Sequence, residues 1–131
     1  MIGIVVVAHG QLASEYIAAV EHVVGPLSAC EGVKTGDSDD RAGKEQEICA
    51  AVDRVDQGDG VVVVTDLFGG SPSNLSLLAC KQAQRRIMYG ANLPMLIKLA
   101  KSRGKPLDEA VEAALDAGRR YINSKVLSHG A

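Results

Sequence analysis

The 131-residue sequence contains few aromatic side chains: three Tyr, one Phe and no Trp. Since 47% of the residues are nevertheless hydrophobic, a domain-sized core has to be built from Val, Leu, Ile and Ala. A chain of this length leaves little room for two domains, so we expect a single domain over residues 1–131.

The sequence also lacks a strongly basic composition, a long apolar run and metal-ligand spacing. A formal net charge of −2 argues against a nucleic-acid-binding protein. No apolar run approaches the roughly 20 residues that cross a bilayer, so direct membrane insertion is not expected. The three cysteines have no metal-type spacing and are expected to be reduced thiols in a cytoplasmic protein, with no metal or cofactor: Cys30, Cys49 and Cys80.

Two short segments, residues 2–8 and 60–65, are apolar throughout and rich in Val. Such runs are typical of strands buried on both faces of a parallel sheet. Weaker signals predict two further strands, at residues 29–33 and 86–89. Apolar residues at helical spacing predict helices in the remaining segments: 11–24, 40–55, a stretch after Asp66, and a stretch around 107–115.

This alternation predicts an α/β fold with a mostly parallel open sheet and helices on both faces. In such sheets a ligand binds beyond the carboxyl ends of the strands. His9 and Gly10 follow the first predicted strand, Asp66 follows the third and Asn92 follows the fourth, so we expect them to meet at one edge. Residues 118–127 fit either a continuation of the last helix or a final strand.

The loop after the third predicted strand reads TDLFGGSPSN, residues 65–74. Gly69 and Gly70 allow backbone amides to approach a ligand closely, and Ser71 followed by Pro72 is a typical helix start. Amides at such a helix start can bind phosphate or another anion. An ordinary strand-to-helix turn is the alternative interpretation, and the glycine-rich nucleotide motifs GxGxxG and GxxxxGK[ST] are missing.

The combination of His9 and Asp66 suggests a phosphoryl acceptor. If Asp66 accepts a hydrogen bond from one ring nitrogen of His9, it fixes the tautomer and leaves the other nitrogen as the nucleophile. A phosphoryl group arriving there would meet the amides of Gly70 and Ser71 and the Ser71 hydroxyl. The predicted catalytic residues are therefore His9, Asp66 and Ser71.

The two other histidines are weaker candidates. His22 falls in the middle of a predicted helix and is expected at the surface, and His129 lies in the C-terminal tail. Leu67, Phe68 and Leu93 lie on the predicted cleft loops, where they are expected either to dock a partner protein or to pack in the core.

Three segments, VVVAHG, VVVVTDLFGGSPSN and YGANLPML, resemble in this order and spacing the enzyme IIA domain of the mannose family of the bacterial phosphotransferase system. The resemblance covers essentially the whole chain. It implies a flavodoxin-like strand order and a homodimer in which a C-terminal strand crosses to the partner's sheet, which would favour a strand within residues 118–127.

The resemblance also implies a phosphohistidine carrier that needs no cofactor. The family's histidine accepts a phosphoryl group from the phosphocarrier protein HPr and passes it to an enzyme IIB-type acceptor; the matching position is His9. The family's supporting aspartate falls on Asp66 and its loop serine on Ser71. Matching or adjoining positions around the same cleft are Gly10, Gly69, Gly70 and residues 92–94.

Other functions remain open. Transporter versions often carry a fused IIB domain, so a chain of this length can instead serve a regulatory phosphorelay. The phosphoryl-donor subunit for dihydroxyacetone kinase shares the fold and the histidine, but its loop is usually of an M-D-x-G-S kind. A non-catalytic module that senses a phosphorylated metabolite would bind phosphate reversibly and leave His9 unmodified.

Overall fold

The computed structural model describes residues 1–36, 40–67, 74, 76, 81 and 84–128. Residues 74 and 76, which lie between the third and fourth strands, are helical. The elements whose bounds are described are, in chain order, β1 (Gly3–His9), α1 (Leu12–Val24), β2 (Cys30–Thr35), α2 (Arg41–Val55), β3 (Val61–Thr65), β4 (Arg85–Met88), α3 (Leu93–Lys101) and α4 (Leu107–Arg120).

The four strands form one parallel sheet in the order β2-β1-β3-β4. This is the flavodoxin-like order, so the predicted α/β class and strand order are confirmed. Val7 of β1 lies beside Thr65 of β3 in the register. The residues that follow these two strands therefore leave the sheet side by side.

The apolar strands are buried because helices cover both faces of the sheet. On one face Ile4 and Val6 of β1 pack with buried residues of α1, α3 and α4. On the other face Val5 and Val7 pack with α2 through residues that include Ile48. Alternate side chains of one strand thus enter two separate cores, which explains the continuous apolar runs in the sequence.

The second strand is longer than the sequence predicts, since it extends to Thr35 rather than ending at residue 33. β2 is an outer strand of the described sheet, and its residues from Gly32 to Thr35 alternate between exposed and buried. The Thr35 hydroxyl donates to the Ala8 carbonyl at 3.3 Å, so this polar side chain is satisfied inside the fold. One-sided burial is the reason for the polar sequence of this strand.

The predicted helix boundaries agree with the structure to within one residue where caps mark them. Asp40 caps α2 by accepting from the Gly43 amide at 3.2 Å, and Gly25 ends α1 with φ of +92°.

The C-terminal segment matches neither alternative over its full length. Residues 118–120 end α4, whereas residues 122–128 form neither helix nor strand within the single chain.

Gly3 makes a close approach between β1 and α2 possible. Its amide donates to the Gly60 carbonyl at 3.0 Å, and a Cβ at this position would lie 2.3 Å from the Val55 carbonyl oxygen at the end of α2. Since the nearest atom belongs to the backbone, rotation of a side chain cannot relieve this contact.

Replacing Gly3 with Ala should therefore lower the free energy of unfolding by about 2 kcal/mol, because α2 has to shift away from β1. Urea unfolding monitored by circular dichroism measures the change. Gly104→Ala is the matched control, since a Cβ there meets nothing within 4 Å. Equal stability of the two variants would contradict this explanation.

Candidate functional site

His9 and Asp66 meet at the carboxyl edge of the sheet. His9 is the last residue of β1 and Asp66 directly follows β3, which is the neighbour of β1 in the sheet. The Nδ1 atom of His9 lies 3.0 Å from Oδ2 of Asp66. The same oxygen accepts the backbone N–H of His9 at 3.1 Å, so two contacts hold the carboxylate against this residue.

The two side chains differ in exposure. The His9 side chain is 43% exposed, whereas that of Asp66 is only 10% exposed. The imidazole can therefore be reached from solvent, while the carboxylate beneath it is largely shielded from water. Shielding strengthens the electrostatic interaction between the two groups relative to an exposed pair.

The hydrogen bond to Asp66 determines which ring nitrogen of His9 is available for chemistry. An ionised carboxylate has no proton to donate, so Nδ1 is the donor in this pair. In the neutral ring, Nε2 then carries the lone pair. Positive charge that develops on the ring during attack by Nε2 is offset by the adjacent carboxylate.

The second oxygen of Asp66, Oδ1, is buried and has no hydrogen-bond partner among the described residues. An unsatisfied buried acceptor costs about 1–3 kcal/mol, and such groups are uncommon outside functional sites. This oxygen adds negative potential beside the imidazole.

Gly10 turns the chain away from the sheet directly after His9. Its φ of +55° is in the left-handed region that favours glycine, and its amide donates to the Thr35 carbonyl at 3.0 Å. A Cβ at this position would meet no atom of a described residue within 4 Å. Among the described residues, none therefore crowds this side of the turn after His9.

The loop after β4 is tied to the same edge of the sheet. The Ala91 amide donates to the Thr65 carbonyl at 3.0 Å, and the Tyr16 hydroxyl of α1 donates to the Ala91 carbonyl at 3.2 Å. The sequence analysis did not identify Tyr16 as a residue that positions this loop. An isolated tyrosine on the apolar face of α1 was the available signal, because a buried hydroxyl requires a partner.

Asn92 is held in a structural role by both ends of its amide. Its oxygen accepts the Met95 amide at 3.0 Å and caps α3, and its nitrogen donates to the Gly118 carbonyl at 2.9 Å. These bonds place Asn92 between α3 and α4 and fix the loop that precedes it. Its predicted part in binding phosphate or a partner stays a prediction.

The other residues predicted to surround His9 fall into two groups. Leu67 is 55% exposed, which fits docking better than core packing, whereas Leu93 is half-buried and packs against the core. The other predicted residues lie outside the described residues: Phe68, Gly69, Gly70 and Ser71.

The other histidines and the cysteines either lie away from the His9–Asp66 pair or are outside the described residues. His22 is exposed on α1, as predicted, and His129 and Cys80 are outside the described residues. Cys30 and Cys49 are free thiols. Burial raises the pKa of the Cys30 thiol to about 11, so this sulfur stays protonated and is a poor nucleophile at neutral pH.

The described residues offer neither a metal-binding cluster nor a membrane-spanning helix. Among them, no group of three or more His, Cys, Asp or Glu side chains is arranged to hold a metal ion. No described helix has the length and apolar character required to cross a bilayer.

A carboxylate-oriented histidine at the carboxyl edge of a parallel sheet is the arrangement expected from the sequence motifs. The sequence model of a protein family described as "PTS system fructose IIA component" (EIIA-man) matches residues 3–116. The chain belongs to this family. It is thus a member of the IIA components of the sugar phosphotransferase system, and the resemblance found in the sequence motifs is confirmed.

Individual relatives agree with this assignment. The "Putative phosphotransferase enzyme IIA component YadI" of Escherichia coli K12 is 29% identical over 104 residues, which cover 79% of this chain and 71% of that protein. The "PTS system mannose-specific EIIAB component" of the same strain is 25% identical over 94% of this chain. This IIA chain spans only 39% of that relative's length.

A solved structure shows the same fold over nearly the whole chain. The "Mannose/sorbose specific IIA subunit of phosphotransferase system" from Enterococcus faecalis superposes with a TM-score of 0.85 and is 25% identical. The match covers 98% of each chain.

The contact with Asp66 should fix the tautomer of His9 in this IIA chain. We expect the neutral ring to carry its proton on Nδ1, whereas an unconstrained histidine favours the proton on Nε2. Two-dimensional ¹⁵N–¹H NMR of the ring, recorded at alkaline pH where the ring is neutral, distinguishes the two tautomers. In Asp66→Ala, which removes the acceptor, the Nε2–H form should become the major one.

The exposed His22 provides an internal control in the same spectra, and its tautomer ratio should be the same in both proteins. A His9 ring protonated mainly on Nε2 in the unaltered protein would show that Asp66 does not orient it.

Proposed function

We propose that this chain is a phosphohistidine carrier that accepts a phosphoryl group from HPr on Nε2 of His9. It then delivers the group to an enzyme IIB-type acceptor or, in a regulatory relay, to another protein. The observation that carries the proposal is the exposed imidazole whose Nδ1 is bonded to the shielded carboxylate of Asp66. Membership of the IIA family supports a phosphoryl relay within the sugar phosphotransferase system.

The transfer needs no nucleotide, because one N–P bond forms while another breaks. The lone pair of His9 Nε2 attacks the phosphorus of the donor's phosphohistidine, and a new N–P bond forms. The donor's N–P bond breaks, and its electron pair stays on the donor imidazole. The proton on His9 Nδ1 remains in place throughout, while Asp66 offsets the positive charge on the ring.

We further propose that the loop after β3 binds the transferred group. The sequence of residues 69–71 supports this role, since two glycines followed by a helix-starting serine can offer amides to phosphate oxygens. Gly10 and the exposed Leu67 border His9 on the described side and would form part of the rim against which a partner protein docks. A relay fed by HPr operates in the cytoplasm, which is the compartment that we propose.

Phosphorylation of His9 can be tested directly. The purified protein is incubated with phosphoenolpyruvate, enzyme I and HPr, and the phosphate is located by mass spectrometry under alkaline conditions that preserve phosphohistidine. We expect one acid-labile phosphoryl group on His9, and none in His9→Gln, because the amide has no nucleophilic nitrogen.

His22→Gln is the matched control, since His22 is exposed and lies on α1. It should become phosphorylated like the unaltered protein. Reversible binding of phosphate with an unmodified His9 would instead support a sensing module and would contradict the carrier function.

We also propose a homodimer in which the C-terminal segment reaches the partner. Within residues 122–128, large apolar side chains are strongly exposed: Ile122 at 73%, Val126 at 84% and Leu127 at 96%. β4 is an outer strand of the described sheet, and outer strands accept a further strand from another chain. Burial against a second copy would remove these side chains from water.

Sedimentation equilibrium tests the dimer. The full chain should sediment with twice its monomer mass, and a chain ending at Tyr121 should be monomeric, because it lacks the apolar segment. Val23→Ser removes another exposed apolar side chain, on α1, and should leave the dimer intact. A full chain that is monomeric at micromolar concentration would refute the proposal.

A further inference from the structure

A cleft of about 840 Å³ opens at the edge of the sheet opposite to His9. It is lined by residues at the amino ends of β3 and β4, by the loop between α3 and α4, and by the start of α4. Since β1 has seven residues, the cleft is roughly 20 Å from the imidazole. Its volume is in the range of small-molecule binding sites.

Arg103 is a lining residue of this cleft and carries a buried positive charge. The residue is only 6% exposed, and its Nε and Nη2 atoms donate to the carbonyls of Ile2 and Ala29 at 2.7 and 2.8 Å. No carboxylate of a described residue lies within 4.0 Å of its guanidinium. Burial lowers the pKa of Arg103, because desolvation disfavours the charged form.

Lys105 adds a second positive charge without an ion-pair partner. It is exposed, it lines the same cleft, and no carboxylate of a described residue forms a salt bridge with it. A buried cation is normally paired with an anion. A second cation in the same cleft raises the free-energy cost of leaving both without an anion.

The other charges around the cleft are already neutralised within the fold. Arg85 bonds to Asp53 at 2.8 Å and to Asp56 at 3.3 Å, and Arg86 bonds to Asp108 at 2.5 Å. Asp59, which also lines the cleft, pairs with the amino group of Met1 at 2.6 Å. Arg103 and Lys105 are therefore the two cationic side chains of the lining that have no carboxylate partner among the described residues.

We propose that this cleft binds the phosphate monoester of a small molecule through Arg103 and Lys105. A phosphate monoester carries a charge of about −1.5 to −2 at neutral pH, which matches the two uncompensated cations. The bonds that Arg103 makes to carbonyls use Nε and Nη2, and Nη1 has no hydrogen-bond partner among the described residues, so its hydrogens would bind the phosphate oxygens. The organic part of the ester would occupy the remaining volume, and the site is separate from the one that carries the phosphoryl group.

NMR titration of the unphosphorylated full chain tests this site. Glucose 6-phosphate should cause saturable shifts of the amides of Gly58, Gly104 and Leu107, which line the cleft. The amides of His9 and Gly10 should not move at the same concentrations. Glucose is the neutral control and should cause no shifts, and malonate, a dicarboxylate dianion, should bind more weakly than the phosphate ester.

Variants distinguish this site from general attraction of anions to the surface. Lys105→Gln should weaken binding about tenfold or more, because one charge-assisted bond is lost. Lys98→Gln removes an exposed lysine that does not line the cleft, and its affinity should equal that of the unaltered protein. Arg103→Lys keeps the positive charge but removes the guanidinium donors, so it should also weaken binding. Its thermal unfolding is measured in parallel to establish that it folds.

The proposal would be overturned if no saturable shifts occurred at about 10 mM ester, if Lys98→Gln and Lys105→Gln weakened binding equally, or if malonate bound as tightly as glucose 6-phosphate. Shifts centred on His9 rather than on the cleft would also overturn it, since they would assign the ester to the phosphoryl-carrying site.

Discussion

The hydrogen bond between His9 Nδ1 and Asp66 Oδ2 is the interaction on which the proposed chemistry depends. It connects the ends of two adjacent parallel strands, so its geometry is set by the register of β1 and β3 rather than by a mobile loop. The backbone amide of His9 bonds to the same oxygen, which restricts the carboxylate further. One ring nitrogen is thereby occupied, and in the proposed carrier the other is the nucleophile.

The rest of the fold supports that contact. Two cores, one on each face of the sheet, hold β1 and β3 in place through strands that are almost entirely Val, Ile and Ala. The Tyr16–Ala91–Thr65 bonds attach the loop after β4 to the same edge, and Asn92 anchors that loop to α3 and α4. The two ends of the sheet thus differ in chemistry: an imidazole and a carboxylate at one end, and a cleft with excess positive charge at the other.

Sequence reasoning predicted the features that depend on local pattern. The apolar runs predict β1 and β3, and parallel pairing then places His9 beside Asp66. β2 ends two residues later than the sequence predicts, because Lys34 and Thr35 belong to a strand that is buried on one side only. β4 begins one residue earlier than predicted, at Arg85, whose charge is satisfied by Asp53 and Asp56. The bonds of Tyr16 and Arg103 join residues 75 and 101 positions apart, so no local pattern signals them.

The position of the phosphoryl group on the ring tests the central claim most directly. In protein labelled with ¹⁵N at histidine and phosphorylated by HPr, the one-bond coupling between ³¹P and ¹⁵N identifies the nitrogen that carries phosphorus. This account predicts phosphorus on Nε2 of His9, with a proton retained on Nδ1 and bonded to Asp66. Phosphorus on Nδ1 would contradict it, because that nitrogen would then have lost its bond to the carboxylate.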